Sequence, residues 1–113
     1  MTDCLFCRIV AEEIPAEVVA RTPDTVAFRD INPQAPVHVL VIPRQHHSDI
    51  AALAAADPGL AGRLAADAAA VAAAEGVADA FRLVFNTGAG AGQSVFHVHG
   101  HVLGGRGFGW PPG

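Results

Sequence analysis

The pattern that most restricts the fold lies near the C-terminal end, where histidine recurs at every second position: His97, His99 and His101, with Val98, Gly100 and Val102 in register between and after them. Side chains alternate faces along a strand, so this spacing predicts a strand from Val95 to Leu103 with three imidazoles on one face. Successive rings on that face would stand about 6.6 Å apart, twice the rise per residue. Val98 and Val102 take the opposite face, as a half-buried strand wants. Three imidazoles in line are costly in a core unless each has a partner, which marks this face as the border of a site.

Proline and glycine cut the rest of the chain into short pieces. Val18 to Arg21 and Thr25 to Arg29 read as strands joined through Thr22, Pro23 and Asp24, a turn sequence. Residues 32–36 form a second punctuated loop. Val37 to Ile42, closed by Pro43, is apolar on both faces and reads as a central strand. Phe81 to Phe85 is a further strand. Residues 4–12 read as a short helix with Leu5, Phe6 and Ile9 turned inward, ended by Ile14 and Pro15. Asp57 and Pro58 open the principal helix; Leu60, Leu64, Ala68 and Val71 make its apolar stripe and Gly76 stops it. Gly88 to Gly92 reads as a mobile glycine loop. The sum is an α+β domain with a mainly antiparallel sheet, one long helix and one short one.

Composition narrows the partners. A chain of 113 residues has the length of one domain. It is 51% hydrophobic and 16% charged, which argues against disorder and leaves apolar surface for a homo-oligomer. All seven cations are arginines, the formal net charge is −4, and no basic run occurs. That excludes a polymer-wide nucleic-acid footprint but not a local pocket for a small anion. No apolar run is long enough to span a membrane. Thr2, Asp3 and Cys4 do not make the basic start of a signal peptide, so a cytoplasmic, reducing location is expected. There Cys4 and Cys7 read as thiols or metal ligands rather than a structural disulfide.

Two chemistries suit the histidine face: a metal site built from imidazoles, or phosphate chemistry in which one neutral ring attacks phosphorus while its neighbours donate hydrogen bonds. The segment from Gly88 to Ser94 favours the second. Glycines let backbone N–H groups approach an anion, and Ser94 adds a hydroxyl donor. Cys4 and Cys7 form a Cys-x-x-Cys pair that is compatible with a redox pair, a disulfide, a chance pairing or half of a zinc site lacking two ligands.

The run Gln93-Ser94-Val95-Phe96-His97-Val98-His99-Gly100-His101-Val102-Leu103-Gly104-Gly105 resembles the signature of the histidine triad (HIT) superfamily. The block from Arg29 to Pro43 resembles the upstream block of its Hint branch, as does the ending Trp110-Pro111-Pro112-Gly113. The similarity runs from about Leu5 to the last residue. One position departs: Gly100 stands where the family pattern has an apolar residue, which puts local rigidity rather than chemistry in question.

The resemblance implies a HIT-like fold with a five-stranded sheet, one domain over residues 1–113 with a tail over 104–113, and a homodimer in which Trp110 reaches toward the partner's site. It implies hydrolysis of purine nucleoside phosphoramidates. His99 would attack the α-phosphorus, and water would then release the nucleoside monophosphate from a nucleotidyl-histidine. His101 would donate to the phosphoryl oxygens or the leaving group, and His38 would support the histidines from the next strand. Ser94, Gly92 and Gln93 would stabilise charge on the oxygens, with Asn86 nearby. Asp30 would hold the ribose hydroxyls, and Phe6, Phe28, Ile31 and Leu40 the base. In the bacterial type of relative a structural zinc completes the cysteine pair, here at Cys4, Cys7, His46 and His97 with His47 as competitor, and no catalytic metal is required. The alternatives are a dinucleoside polyphosphate hydrolase, which Gln34-Ala35-Pro36 and the Trp-Pro-Pro ending lean against, a nucleotide-binding scaffold with incidental turnover, and a zinc hydrolase using His97, His99 and His101 as ligands.

Overall fold

The central strand is the one with apolar residues on both faces. The computed structural model describes residues 3–113; Met1 and Thr2, the start of the segment read as lacking a signal peptide, lie outside the described residues. Its elements are α1 (Leu5–Val10), β1 (Val18–Arg21), β2 (Thr25–Arg29), β3 (Val37–Pro43), α2 (Ile50–Ala56), α3 (Pro58–Ala74), β4 (Phe81–Val84) and β5 (Gly100–Gly104), with a 3-10 turn over Ala89–Ala91. The five strands form one antiparallel sheet in the order β1-β2-β3-β5-β4. The fold is thus α+β, as expected. β3 sits in the middle because both of its faces are covered. Val39 and Val41 join the core under α3, while Leu40 and Ile42 join the smaller core under α1.

α3 buries the predicted stripe of Leu60, Leu64, Ala68 and Val71, together with Ala72. Its start also ends another helix, which makes three helices where two were expected. Asp49 caps α2 by accepting from the Ala52 N–H. Asp57 then closes α2 with its own N–H on the Leu53 carbonyl and opens α3 by accepting from the Leu60 N–H. Asp57 and Pro58 are the start read from the sequence; what that reading leaves out is α2, the short helix ahead of them. α1 also differs in one detail: Phe6 and Ile9 are buried, whereas Leu5 is 47% exposed at the rim. Among the described residues no helix is long and apolar enough to cross a membrane.

The last strand starts later than its alternation suggests. β5 pairs with β3 only from Val41 opposite Gly100 onward. Beyond that, Pro43 has no N–H to offer, and its carbonyl accepts from the ring Nε2–H of His97 at 2.9 Å. The Val98 N–H goes to the His47 carbonyl at 2.7 Å instead of to a strand. His97 and His99 therefore lie on a segment held by side chains and a loop rather than by a ladder.

Gly100 has a structural reason. A Cβ there would stand 2.9 Å from Leu83 Cδ1 and 3.0 Å from Phe85 Cζ. The room left by the missing side chain is filled from β4 and the residue after it. Replacing Gly100 by valine, to restore the family pattern, is therefore expected to cost about 1–3 kcal/mol through overpacking. Adding Phe85→Ala should return part of that. Urea unfolding of the three proteins checks it; a Gly100→Val chain as stable as the parent would refute the packing account.

Candidate active site and metal centre

α1, the end of β2, β3 and the Ser94–His101 segment enclose an open cavity of about 440 Å³. One end is apolar, walled by Phe6, Ile9, Phe28, Ile31 and Leu40; the other carries Asp30, Ser94, His99 and His101. The alternation of β2 and β3 puts Phe28 and Leu40 on this side, opposite the α3 core. Ile31 is fully exposed at the mouth. A smaller, mostly apolar cavity of about 120 Å³ lies between α3 and the β1-β2 edge. Its two carboxylates are already engaged: Asp67 accepts from Thr22 and Thr25, and Glu75 from Arg29.

The His99 ring is buried, edge-on to Phe6 with centroids 5.0 Å apart. Its Nδ1 lies 2.8 Å from the carbonyl oxygen of His97. A carbonyl only accepts, so Nδ1 carries a proton, and in the neutral ring the lone pair is on Nε2. His101 follows with its ring 4.9 Å from that of His99. Its Nδ1 lies 2.9 Å from His38 Nε2, and its Nε2 is buried with no partner among the described residues. Burial, reinforced by His99 and His38, pushes the His101 imidazole down to about 4 against a smaller upward pull from Asp30. It is therefore neutral near pH 7. Burial also lowers His38, opposed by Asp30, whose Oδ2 lies 3.4 Å from His38 Nε2. Asp30 Oδ1 accepts from the Asn32 N–H.

The glycine loop is built by a side chain. Gln93 is buried; its Oε1 accepts from the Gly88 N–H and its Nε2 donates to the Ser48 and Val95 carbonyls. These bonds, with Gly88 and Gly92 at positive φ, shape the segment into a 3-10 turn. Its shape draws on a partner, Ser48, that is distant in sequence. Gly92 and Ser94 are exposed, and Asn86 Nδ2 lies 3.8 Å from where a Gly92 Cβ would be. Trp110 is 84% exposed on the tail and does not line the cavity of its own chain.

His97 faces elsewhere. It is wholly buried, and its Nδ1 meets Cys4 Sγ at 3.4 Å, Cys7 Sγ at 3.5 Å and His46 Nδ1 at 3.2 Å; Cys7 Sγ lies 3.4 Å from His46 Nδ1. A tetrahedral zinc with ordinary bond lengths needs ligand separations of roughly 3.3 Å between two nitrogens and roughly 3.6 Å between nitrogen and sulfur. The four side chains thus fit a tetrahedral metal. The Pro43 carbonyl fixes the His97 tautomer that presents Nδ1. His47, the competitor, has its ring 3.5 Å from Gln45 and is not in the cluster. The three triad imidazoles form no common ligand group among the described residues: His97 belongs to the cysteine cluster and His101 to the Asp30–His38 side. Reading side chains alone leaves out two contributors here, the carbonyls of Pro43 and His97, for which a sequence carries no signal.

A HIT domain model matches residues 11–108. An uncharacterized HIT-like protein of Synechocystis is 50% identical over 111 residues, 98% of this chain and 97% of that one. The crystal structure of a HIT family hydrolase from Legionella pneumophila superposes with a TM-score of 0.93 at 47% identity, covering 98% of this chain and all of that one. A histidine triad nucleotide-binding protein from Candida albicans gives a TM-score of 0.83 at 28% identity, covering 96% and 83% respectively. With a family model matched over most of its length and half of its residues shared with such a relative, the chain belongs to the HIT domain family.

Proposed function

We propose that this HIT domain, one unit over residues 1–113 with a tail over 104–113, hydrolyses the P–N bond of purine nucleoside phosphoramidates in the cytoplasm as a homodimer of the Hint type. The observation that carries the reading is the His99 ring, held by the His97 carbonyl at 2.8 Å so that Nε2 keeps its lone pair, at the polar end of an apolar-walled cavity. A nucleotide matches that division. Phe6, Phe28, Ile31 and Leu40 take the base, the Asp30 carboxylate takes the ribose hydroxyls, and the phosphate lies against His99, His101 and Ser94.

His99 Nε2 forms a bond to the α-phosphorus as the P–N bond breaks, and the amine nitrogen gains one proton as it leaves. Water then attacks the nucleotidyl-histidine: its oxygen bonds to phosphorus as the Nε2–P bond breaks and returns its electron pair to His99, and one water proton replaces the one the amine took from solvent. The sum is one water added across P–N, with one hard displacement divided into two. His101 Nε2–H, the Gly92 backbone and the Ser94 hydroxyl offset the charge on the phosphoryl oxygens. Gln93 acts through the loop it shapes, Asn86 supports that loop, and Trp110 borders the partner's cavity. Cys4, Cys7, His46 and His97 would hold a zinc ion, which would supply a crosslink between α1 and the segments that follow β3 and precede β5.

Incubation with an adenosine phosphoramidate should release AMP and amine faster than an equal concentration of a dinucleoside polyphosphate is cleaved. Faster cleavage of the dinucleotide would instead assign the chain to polyphosphate hydrolysis. AMP binding without turnover of either would leave a nucleotide-binding module.

A further inference from the structure

His38 and His101 share one hydrogen bond, and either ring could in principle donate it. The choice is made outside the pair. The backbone N–H of Gln34 points at His38 Nδ1, 3.0 Å away. A backbone N–H only donates, so His38 Nδ1 must be the bare nitrogen and His38 Nε2 must carry the proton. His38 Nε2 then donates to His101 Nδ1 at 2.9 Å. That leaves His101 with its own proton on Nε2, the buried atom without a partner among the described residues. The reverse arrangement would set the Gln34 N–H against a second N–H at 3.0 Å.

The residue that carries this N–H is itself held, through the carbonyl on its next peptide unit. Arg106 Nε donates to the Gln34 carbonyl at 3.0 Å, and the Arg106 guanidinium lies over the Phe108 ring, 4.3 Å from its centroid. Arg82 also lies over Phe108 and donates to the Gly109 carbonyl. Gly105, at φ +86°, lets the tail pass so close that a Cβ there would stand 3.0 Å from Pro36 Cβ. The tail thus clasps the loop that carries the amide.

We propose that the Gln34 backbone N–H sets the tautomers of two successive imidazoles, making His101 a hydrogen-bond donor toward the cavity, and that Arg106 is the positioning residue that holds this amide. Only the destination of the His101 N–H, a bound phosphoryl group, rests on the phosphoramidase reading. The same lock works against a cation. Asp30, His38 and His101 bring ligand atoms within 4.8 Å of one another, but a metal there needs the lone pair of His38 Nε2, which the Gln34 amide keeps protonated.

The test is a long-range proton–nitrogen correlation spectrum of the isotope-labelled full chain near neutral pH, without substrate. Both His38 and His101 should be protonated at Nε2; protonation of either at Nδ1 overturns the proposal. Gln34→Pro, which deletes the N–H, should mix the His38 tautomers and lower kcat for the phosphoramidate about ten- to hundredfold with KM little changed. Gln34→Ala, which keeps the N–H, should retain the parent imidazole spectrum. An unaltered spectrum or kcat in Gln34→Pro refutes the amide's role. Should that variant not fold, Arg106→Ala at the surface serves: it should speed hydrogen exchange at the Gln34 amide and lower kcat several-fold, and no change in either refutes the clasp. A parent chain with both Nε2–H signals that fails to cleave phosphoramidates would sink the functional reading and leave the lock standing.

Discussion

Replacing His99 with alanine is expected to lower turnover of an adenosine phosphoramidate by about ten-thousandfold or more. Loss of a covalent nucleophile removes the two-step route itself, and what remains comes from binding and the hydrogen-bond donors around phosphorus. Stability should suffer far less. The ring gives up one hydrogen bond, to the His97 carbonyl, and one edge contact with Phe6, a loss of about 1–3 kcal/mol. AMP should still bind, since the apolar walls and Asp30 are untouched. His99→Asn is an instructive companion: its amide can still donate to the His97 carbonyl but has no nucleophilic nitrogen, so it should fold better and be equally inactive. Turnover within tenfold of the parent in His99→Ala would assign the chemistry to another group.

The second large effect is expected at the metal centre. Zinc-loaded protein should contain one zinc per chain, and the double change Cys4→Ser, Cys7→Ser should remove it. At free zinc about a thousandfold above its dissociation constant, the ion adds about 4 kcal/mol to folding. For a domain of this length that corresponds to roughly 15–20 °C in Tm. The loss should be local at first. Phe6 and Ile9 bury α1 against β2 and β3, and without the crosslink hydrogen exchange should quicken in α1 before it does in α3. Calorimetry, metal analysis and exchange together decide the matter; a double variant that keeps its zinc and its Tm would remove Cys4 and Cys7 from the ligand set.

Much of this arrangement is legible in the residues themselves, and the departures share a cause. β1, β2, β3 and α3 follow from periodicity and from the proline and glycine punctuation around them, because the apolar pattern of each matches the faces it buries. β5 does not follow as simply, since its first half is displaced by Pro43 and by the imidazole that takes that residue's carbonyl. α2 does not stand out ahead of the start at Asp57, since Leu53 is its one buried residue and alanines make up most of the rest. The choice between His46 and His47 needs the loop after β3 in three dimensions. The Gln34 amide and the His97 carbonyl are main-chain atoms, present in every residue, and only the fold gives them a task.

That last point bears on residue 97. Its imidazole belongs to the cysteine cluster, while its peptide oxygen steadies the ring two places on. A substitution can delete the ring but never the oxygen itself. Because that same ring is bonded to the Pro43 carbonyl, its contact with the cysteines and the placing of the oxygen that meets His99 Nδ1 hang on one side chain.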